Sequence, residues 1–120
     1  MDKKQIFKRV TKHLINQNEK SELNNTCFYW SDNGNKCAVG CLIDEEVYTE
    51  DLEESLVSEP HVIEAINKSL NDTITDTDVG LLRDLQRLHD QEEIKDWQFC
   101  LNKLSLHWFE TPLNNVLQEN

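Results

Sequence analysis

The stretch KCAVGCLIDEEVY, residues 36 to 48, places two cysteines four residues apart in the most apolar part of the chain and then turns acidic. It is open to two interpretations, a metal or redox site and a buried element that leads into an acidic surface. Free cysteines are among the most buried residue types and pack as small hydrophobes. Because the neighbours of Cys37 and Cys41 are apolar, the stretch favours a core segment followed directly by a charged surface.

A β-hairpin is predicted immediately before this core segment. The residues CFYW at 27–30 have β preference, and the Asn-Gly pair at 33–34 is the strongest short-range hairpin signal. A turn centred on that pair places Trp30 opposite Cys37 in a hairpin over 27–39. Since a two-stranded hairpin is marginally stable alone, we expect it to pack on helices.

The N-terminal segment predicts a basic amphipathic helix over 3–17, in a chain that is otherwise acidic. Ile6, Val10 and Leu14 recur at helical spacing while lysines occupy the other face, and Asp2 is positioned to cap the helix. The first 20 residues carry a net charge of +4, so the remaining 100 carry −15 of the total of −11. An acidic body repels phosphate backbones, so we expect no direct nucleic-acid binding except through this helix.

Residues 59–110 predict further helices, because apolar residues again recur at spacings of three and four. The chain after Pro112 is predicted to be irregular. The whole chain, 1–120, therefore predicts a single domain of mostly helical α+β class, with about four to five helices packed around a short hairpin. The helix starts in this part are indicated by an early proline or a capping residue: Pro60, Asp76 or Thr77, and Asp90.

The hydropathy of the chain indicates no membrane association. No apolar run approaches the roughly 20 residues that span a bilayer, and the N-terminus is polar and periodic rather than a signal peptide. We therefore expect a cytosolic protein. The cytosol keeps thiols reduced, so the four cysteines are expected to be free, with disulfides as the lesser alternative.

Structural zinc is the alternative interpretation of the cysteines. On a helix Cys37 and Cys41 share a face, and Cys27 could join them across the hairpin, with His61 or Cys100 as a fourth ligand. However, C-x3-C is at the edge of zinc-knuckle spacing, and no second close Cys/His pair follows. We therefore expect no cofactor, and zinc stays the alternative.

The familiar catalytic motifs are absent from the sequence. It contains no glycine-rich nucleotide loop, Walker loop, G-x-S-x-G or H-E-x-x-H. The pair His89-Asp90 is similar to the metal-binding pair of HD-type phosphohydrolases, but it lacks further His and Asp ligands at helical spacing. A histidine near a helix end and an aspartate at the next N-cap are ordinary placements. The sequence therefore predicts a protein that is not an enzyme.

The acidic run directly after the core segment is the candidate binding surface. Residues 44–59 include eight carboxylates and no basic residue. If these 16 residues are helical they span about 24 Å, or one charge per roughly 3 Å, which is close to the spacing of about 3.4 Å along a DNA strand. The run therefore suggests a partner-binding face that mimics nucleic acid, and the alternative is a solubilising face. The candidate residues are Asp44, Glu45, Glu46, Glu50, Asp51, Glu53, Glu54 and Glu59.

The segments NGNKCAVGCLIDEEVY and GLLRDLQRLHD resemble a family of small, functionally uncharacterised proteins of tailed bacteriophages, in which a KCA[VI]GCLI segment precedes an LLxxLQxxHD helix. The resemblance covers about residues 26 to 92. It implies a phage accessory protein in the host bacterial cytoplasm, where small acidic products often inhibit host enzymes or defence complexes.

From these observations we expect a protein that binds and inhibits or modulates a host or anti-phage defence protein. The alternatives are a small protein or enzyme that binds a metal through its cysteines, and a self-associating adaptor or structural subunit, such as a homodimer.

Overall fold

Five α-helices and one two-stranded hairpin form the protein in a computed structural model that describes residues 1–119. This architecture confirms the predicted mostly helical α+β class. The helices are α1 (Lys3–Gln17), α2 (Pro60–Leu70), α3 (Asp76–Gln91), α4 (Trp97–Phe109) and α5 (Leu113–Gln118). The strands are β1 (Glu22–Leu23) and β2 (Thr26–Cys27), and the short 3-10 turns are Gly40–Leu42, Glu50–Leu52 and Ile94–Asp96.

Helix α1 has the predicted bounds and the predicted cap. The Asp2 carboxylate accepts a hydrogen bond from the Gln5 amide at 2.9 Å, and the Gln5 side chain accepts one from the Asp2 amide at 2.8 Å. This reciprocal pair satisfies two amides that the helix itself leaves unpaired. The helix ends at Asn18, which adopts the left-handed conformation (φ 50°) that asparagine tolerates well.

Helix α3 is longer than predicted, and the prediction that Asp90 begins the next helix is wrong. The amide of Glu92 still donates to the Leu88 carbonyl at 3.0 Å, so Asp90 lies inside the last turn of α3. Helix α4 starts only at Trp97, after the 3-10 turn Ile94–Asp96.

The irregular tail predicted after Pro112 is also wrong, because α5 forms there. Pro112 occupies the N-cap position, where its missing amide costs no helical hydrogen bond. Leu113 and Val116 then bury the helix against the core. Six residues are too few for a periodic pattern to stand out in the sequence.

The regular hairpin lies earlier in the chain than the predicted 27–39. It pairs Glu22 with Cys27 and Leu23 with Thr26 through a two-residue turn, Asn24-Asn25. Both asparagines have positive φ, 53° and 64°, as the tight hairpin turn of type I′ requires.

The predicted Asn-Gly turn at 33–34 makes only an isolated bridge, from Trp30 to Lys36. The Ser31 amide donates to the Asn35 carbonyl at 2.9 Å, so the loop has three residues, with Gly34 in the left-handed region (φ 91°). One extra loop residue moves the register by one, so the predicted pairing of Trp30 with Cys37 is wrong.

The segment after this bridge passes through the core, where Cys37, Ala38, Val39 and Leu42 are fully buried. Gly40 is required there by close approach, because a Cβ atom on it would lie 2.0 Å from the Tyr29 carbonyl oxygen. Within residues 1–119, no helix combines the length and the apolar character needed to cross a membrane.

Candidate functional site

The acidic segment is attached to the body of the protein by one of its own carboxylates. Glu53 accepts hydrogen bonds from the backbone amides of Tyr29 at 2.8 Å and Trp30 at 3.1 Å. It also accepts a hydrogen bond from the Tyr48 hydroxyl at 2.6 Å. We call this arrangement the Glu53 anchor. Hydrogen bonds to an ionised carboxylate are stronger than those between neutral groups, so the anchor fixes the loop to the backbone around residues 29–30.

Aromatic stacking supports the Glu53 anchor. The rings of Trp30 and Tyr48 lie parallel with their centroids 4.4 Å apart. The Lys36 ammonium lies over the Trp30 ring, 4.1 Å from its centroid. Burial, together with the hydrogen bond to Glu53, raises the pKa of Tyr48 well above its ordinary value. The phenol is protonated at neutral pH in any case, and the raised pKa keeps it a hydrogen-bond donor at alkaline pH as well.

The acidic segment does not form the helix on which the charge-spacing argument depended. It consists of turns and the single 3-10 turn Glu50–Leu52, and Glu54 adopts a left-handed conformation (φ 64°). Like charges four residues apart repel along a helix, and no lysine or arginine is present to offset them. Leu52 and Val57 are buried and hold an irregular path instead. The one-dimensional match to DNA phosphates is therefore not realised.

The eight candidate carboxylates fall into two groups. Glu53 belongs to the anchor, and Glu59 accepts a hydrogen bond from the Leu56 amide at 2.6 Å at the start of α2. The other six are exposed, and none of them forms an ion pair with any residue of 1–119. We call residues 44–54 the acidic loop, and its exposed carboxylates are Asp44, Glu45, Glu46, Glu50, Asp51 and Glu54.

Cys37 and Cys41 lie in the core segment as protonated thiols. The Cys37 sulfur accepts a hydrogen bond from the Gly40 amide at 3.3 Å, and burial raises the pKa of this thiol well above its usual value. The Cys41 thiol donates to the Ala38 carbonyl at 3.1 Å, and burial raises its pKa to about 12. Because metals and electrophiles react with thiolates, these environments favour packing over chemistry.

Cys27 does not join Cys37 and Cys41 in a ligand cluster. Among residues 1–119, the group of three with ligand atoms within 4.8 Å of one another is Cys27, His89 and Asp90. Burial, followed by the charge of Asp90, raises the pKa of Cys27 to about 11, so its thiol is also protonated. His61, a proposed fourth ligand, is exposed and hydrogen-bonded to the Ser55 hydroxyl at 2.8 Å.

Both ring nitrogens of His89 already have partners. Nε2 accepts a hydrogen bond from the Ser21 backbone amide at 2.9 Å, and Nδ1 lies 2.7 Å from Asp90 Oδ1. An amide can only donate, so the ring is the neutral tautomer whose Nδ1 proton is donated to Asp90. A metal at this group would have to displace one of these bonds. The arrangement as built links α3 to the chain before β1.

The trio Ser21, His89 and Asp90 shares its residue types with a hydrolase triad but lacks the geometry. Ser21 contacts the histidine through its backbone amide, whereas its hydroxyl donates to the Asn35 carbonyl at 3.0 Å. The serine is also fully buried. No activated nucleophile results, since activation needs the hydroxyl within reach of the histidine base.

A cleft of about 540 Å³ opens beside the acidic loop, between residues 53–58 and the second half of α3. Arg83 and Arg87, which are exposed residues of α3, line it. No local signal in the sequence distinguishes these two residues, because charged side chains are usual on the outer face of an amphipathic helix.

The fold and the site define a mostly helical α+β protein in which an anchored acidic loop borders an arginine-lined cleft. No protein-family model, curated protein or solved structure matches this chain.

Proposed function

We propose that the protein binds a basic surface of a protein partner through the acidic loop and catalyses no reaction. The observation that carries this proposal is the combination of six exposed carboxylates without ion-pair partners in residues 1–119 and a backbone fixed by the Glu53 anchor. A charged surface on a pre-organised loop loses little conformational entropy on binding. Complementary charge then supplies specificity and a fast association rate.

The resemblance to tailed-phage proteins supports a narrower proposal about the partner. It points to an accessory protein in the host bacterial cytoplasm that inhibits or modulates a host or anti-phage defence protein. Basic surfaces of such proteins are often nucleic-acid sites, because a cluster of Lys and Arg is the electrostatic footprint of phosphate binding. Occupying such a surface would exclude the nucleic acid even though the loop does not reproduce a regular phosphate spacing.

The test is a quantitative pull-down from the lysate of phage-infected host cells. The loop variant carries Glu50→Lys, Asp51→Lys and Glu54→Lys and retains Glu53, whose loss would release the loop. The control variant carries Glu92→Lys, Glu93→Lys and Glu110→Lys, which are exposed residues elsewhere with the same total charge change. We expect wild type and control to capture the same partner and the loop variant to lose it. Equal capture by the loop variant would contradict the proposal.

Two additions to the pull-down test the contact further: salt tests whether it is electrostatic, and competing DNA tests whether it occupies a nucleic-acid site on the partner. Capture that falls as salt rises supports an electrostatic contact, since salt screens exposed charges. Duplex DNA that releases the partner supports occupation of a nucleic-acid site. If the partner stays bound in the presence of DNA, the nucleic-acid mimicry is rejected, and the acidic loop remains the proposed contact.

Self-association is a second candidate, and it depends on a different surface. Phe99 and Leu106 on α4 are 66% and 45% exposed, and their spacing of seven places them on one face of the helix. A homodimer would cover both side chains. Light scattering at rising concentration tests this, and a constant monomer mass would contradict it.

A further inference from the structure

The cleft beside the acidic loop combines basic and apolar walls. Helix α3 places Arg83 and Arg87 one turn apart on one side, and Leu56 and Val57 lie on the other, with Phe28 also in the lining. Leu56 is 71% exposed, so a ligand in the cleft could cover it. The volume of about 540 Å³ falls within the range of roughly 300–1,000 Å³ seen for small-molecule sites.

The two arginines are the cations in this cleft that are available to a ligand. Neither forms an ion pair with any of the residues described, 1–119. In a chain with a net charge of −11 this is notable, because acidic side chains are plentiful and could have paired with them.

The acidic groups of the cleft are mostly committed to internal hydrogen bonds. Glu53 belongs to the anchor, with both of its oxygens accepting. Asp90 Oδ1 accepts from Gln86 at 2.9 Å and from His89 at 2.7 Å. Only Glu54 is exposed and without an ion pair in the described part of the chain. The lining therefore holds two guanidinium groups and three carboxylates, of which only Glu54 has no hydrogen bond to the described part of the chain.

We infer that this cleft binds a small organic anion, with a carboxylate or phosphate group attached to an apolar or aromatic body. The planar guanidinium fork matches both headgroups and can hold them through two parallel hydrogen bonds. The body of the ligand would cover Leu56 and contact Val57 and Phe28, which removes apolar surface from water. This site meets the acidic loop at Glu53 and Glu54, whereas the exposed carboxylates Asp44, Glu45, Glu46, Glu50 and Asp51 lie outside the cleft lining.

The test is an NMR titration of the full ¹⁵N-labelled chain with three probes that share an aromatic ring: phenyl phosphate, benzoate and benzyl alcohol. We expect saturable shift changes at the amides of residues 27–29 and 54–58 with at least one anion, at a Kd of about 1 mM as is usual for fragments. The stronger of the two anions identifies the headgroup. Neutral benzyl alcohol should bind about tenfold more weakly, because it cannot pair with the arginines.

Variants separate the cleft from general attraction of anions. Arg83→Gln with Arg87→Gln should weaken the anion about tenfold, whereas Lys95→Gln with Lys103→Gln, a matched loss of two exposed cations, should leave binding unchanged. Glu54→Gln should tighten binding about twofold to threefold by removing a repelling charge. The gain in affinity of Glu54→Gln tests the site even if the arginine variant fails to fold.

Three results would overturn the inference. The first is the absence of saturable shifts with either anion up to about 20 mM, which is far above the expected Kd. The second is an arginine variant that binds the anion as tightly as wild type, and the third is a set of shifts centred on the basic face of α1. The pull-down can succeed or fail independently of them, since Glu50 and Asp51 of its loop variant lie outside the cleft lining and both arginines stay in place.

Discussion

Replacing Glu53 should destabilise the fold far more than replacing any exposed carboxylate of the acidic loop. In Glu53→Ala the amides of Tyr29 and Trp30 lose their acceptor, and Tyr48 loses its hydrogen-bond partner. A half-buried donor without its acceptor costs about 1.5 kcal/mol. The tyrosine hydroxyl is partly exposed and can turn to water, so we count the two amides and expect a loss of about 3 kcal/mol. Glu53→Gln retains one accepting oxygen and should cost about half as much.

Urea denaturation at pH 7, followed by tryptophan fluorescence, measures this difference. The matched control is Glu54→Gln, which makes the same change of charge at the next residue, where the side chain is exposed. We expect the control to stay within about 0.5 kcal/mol of wild type, as surface substitutions usually do. If Glu53→Gln and Glu54→Gln cost the same, the anchor contributes nothing to stability, and Glu53 returns to the set of possible partner contacts.

Three further predictions concern the core segment, the half-buried His13 and the cysteines. Gly40→Ala should cost about 4 kcal/mol or more, or prevent folding, because its Cβ would meet the Tyr29 carbonyl. Gly34→Ala, in open space at positive φ, should cost only about 1 kcal/mol. Thermal unfolding followed by circular dichroism compares the two variants, and equal costs would refute the close approach at Gly40. Burial lowers the pKa of His13 below 6.5, so its stabilising contribution is complete above pH 6.5 and is lost as the pH falls through the folded-state pKa. His13→Gln should therefore flatten the stability of the protein below pH 6.5, and an unchanged pH dependence would count against this assignment. Elemental analysis of purified protein should find under about 0.2 metal per chain if the Cys27 group binds no ion, and a stoichiometric metal would restore the zinc alternative.

The parts of the fold that local signals specify could be predicted from the sequence. Helix α1 has a capping residue at Asp2, a regular apolar stripe and a stop at Asn18, and all of these act within a few residues. The fold class follows from the same kind of periodicity in α3 and α4. Helix α5 escaped prediction because it is short and depends on burial of Leu113 and Val116 against the rest of the protein.

The hairpin shows where local signals compete. Asn24-Asn25 and Asn33-Gly34 are both acceptable turns, and the chain uses the first for a two-residue loop and the second within a three-residue loop. The two loop lengths differ by one residue in register, which decides whether Lys36 or Cys37 pairs with Trp30. Only packing of the following segment into the core settles that choice.

The composition of the acidic loop could be predicted from the sequence, but its geometry could not. The acidic residues were found because they are contiguous, yet nothing local distinguishes Glu53 from its neighbours. Its amide partners lie 24 and 23 residues earlier, so the anchor exists only in the folded chain. The cleft likewise brings Arg83 and Arg87 beside residues 53–58, a contact between segments far apart in sequence.

The most direct test of the proposed function is the affinity of the captured partner for the loop variant, Glu50→Lys with Asp51→Lys and Glu54→Lys, measured by calorimetry with purified proteins. Reversing three exposed charges at an electrostatic contact should cost about 1 kcal/mol each, or about a 100-fold increase in Kd. The control variant at Glu92, Glu93 and Glu110 should bind within about threefold of wild type. A loop variant that binds as tightly as the control would contradict the account and place the partner contact elsewhere on the protein.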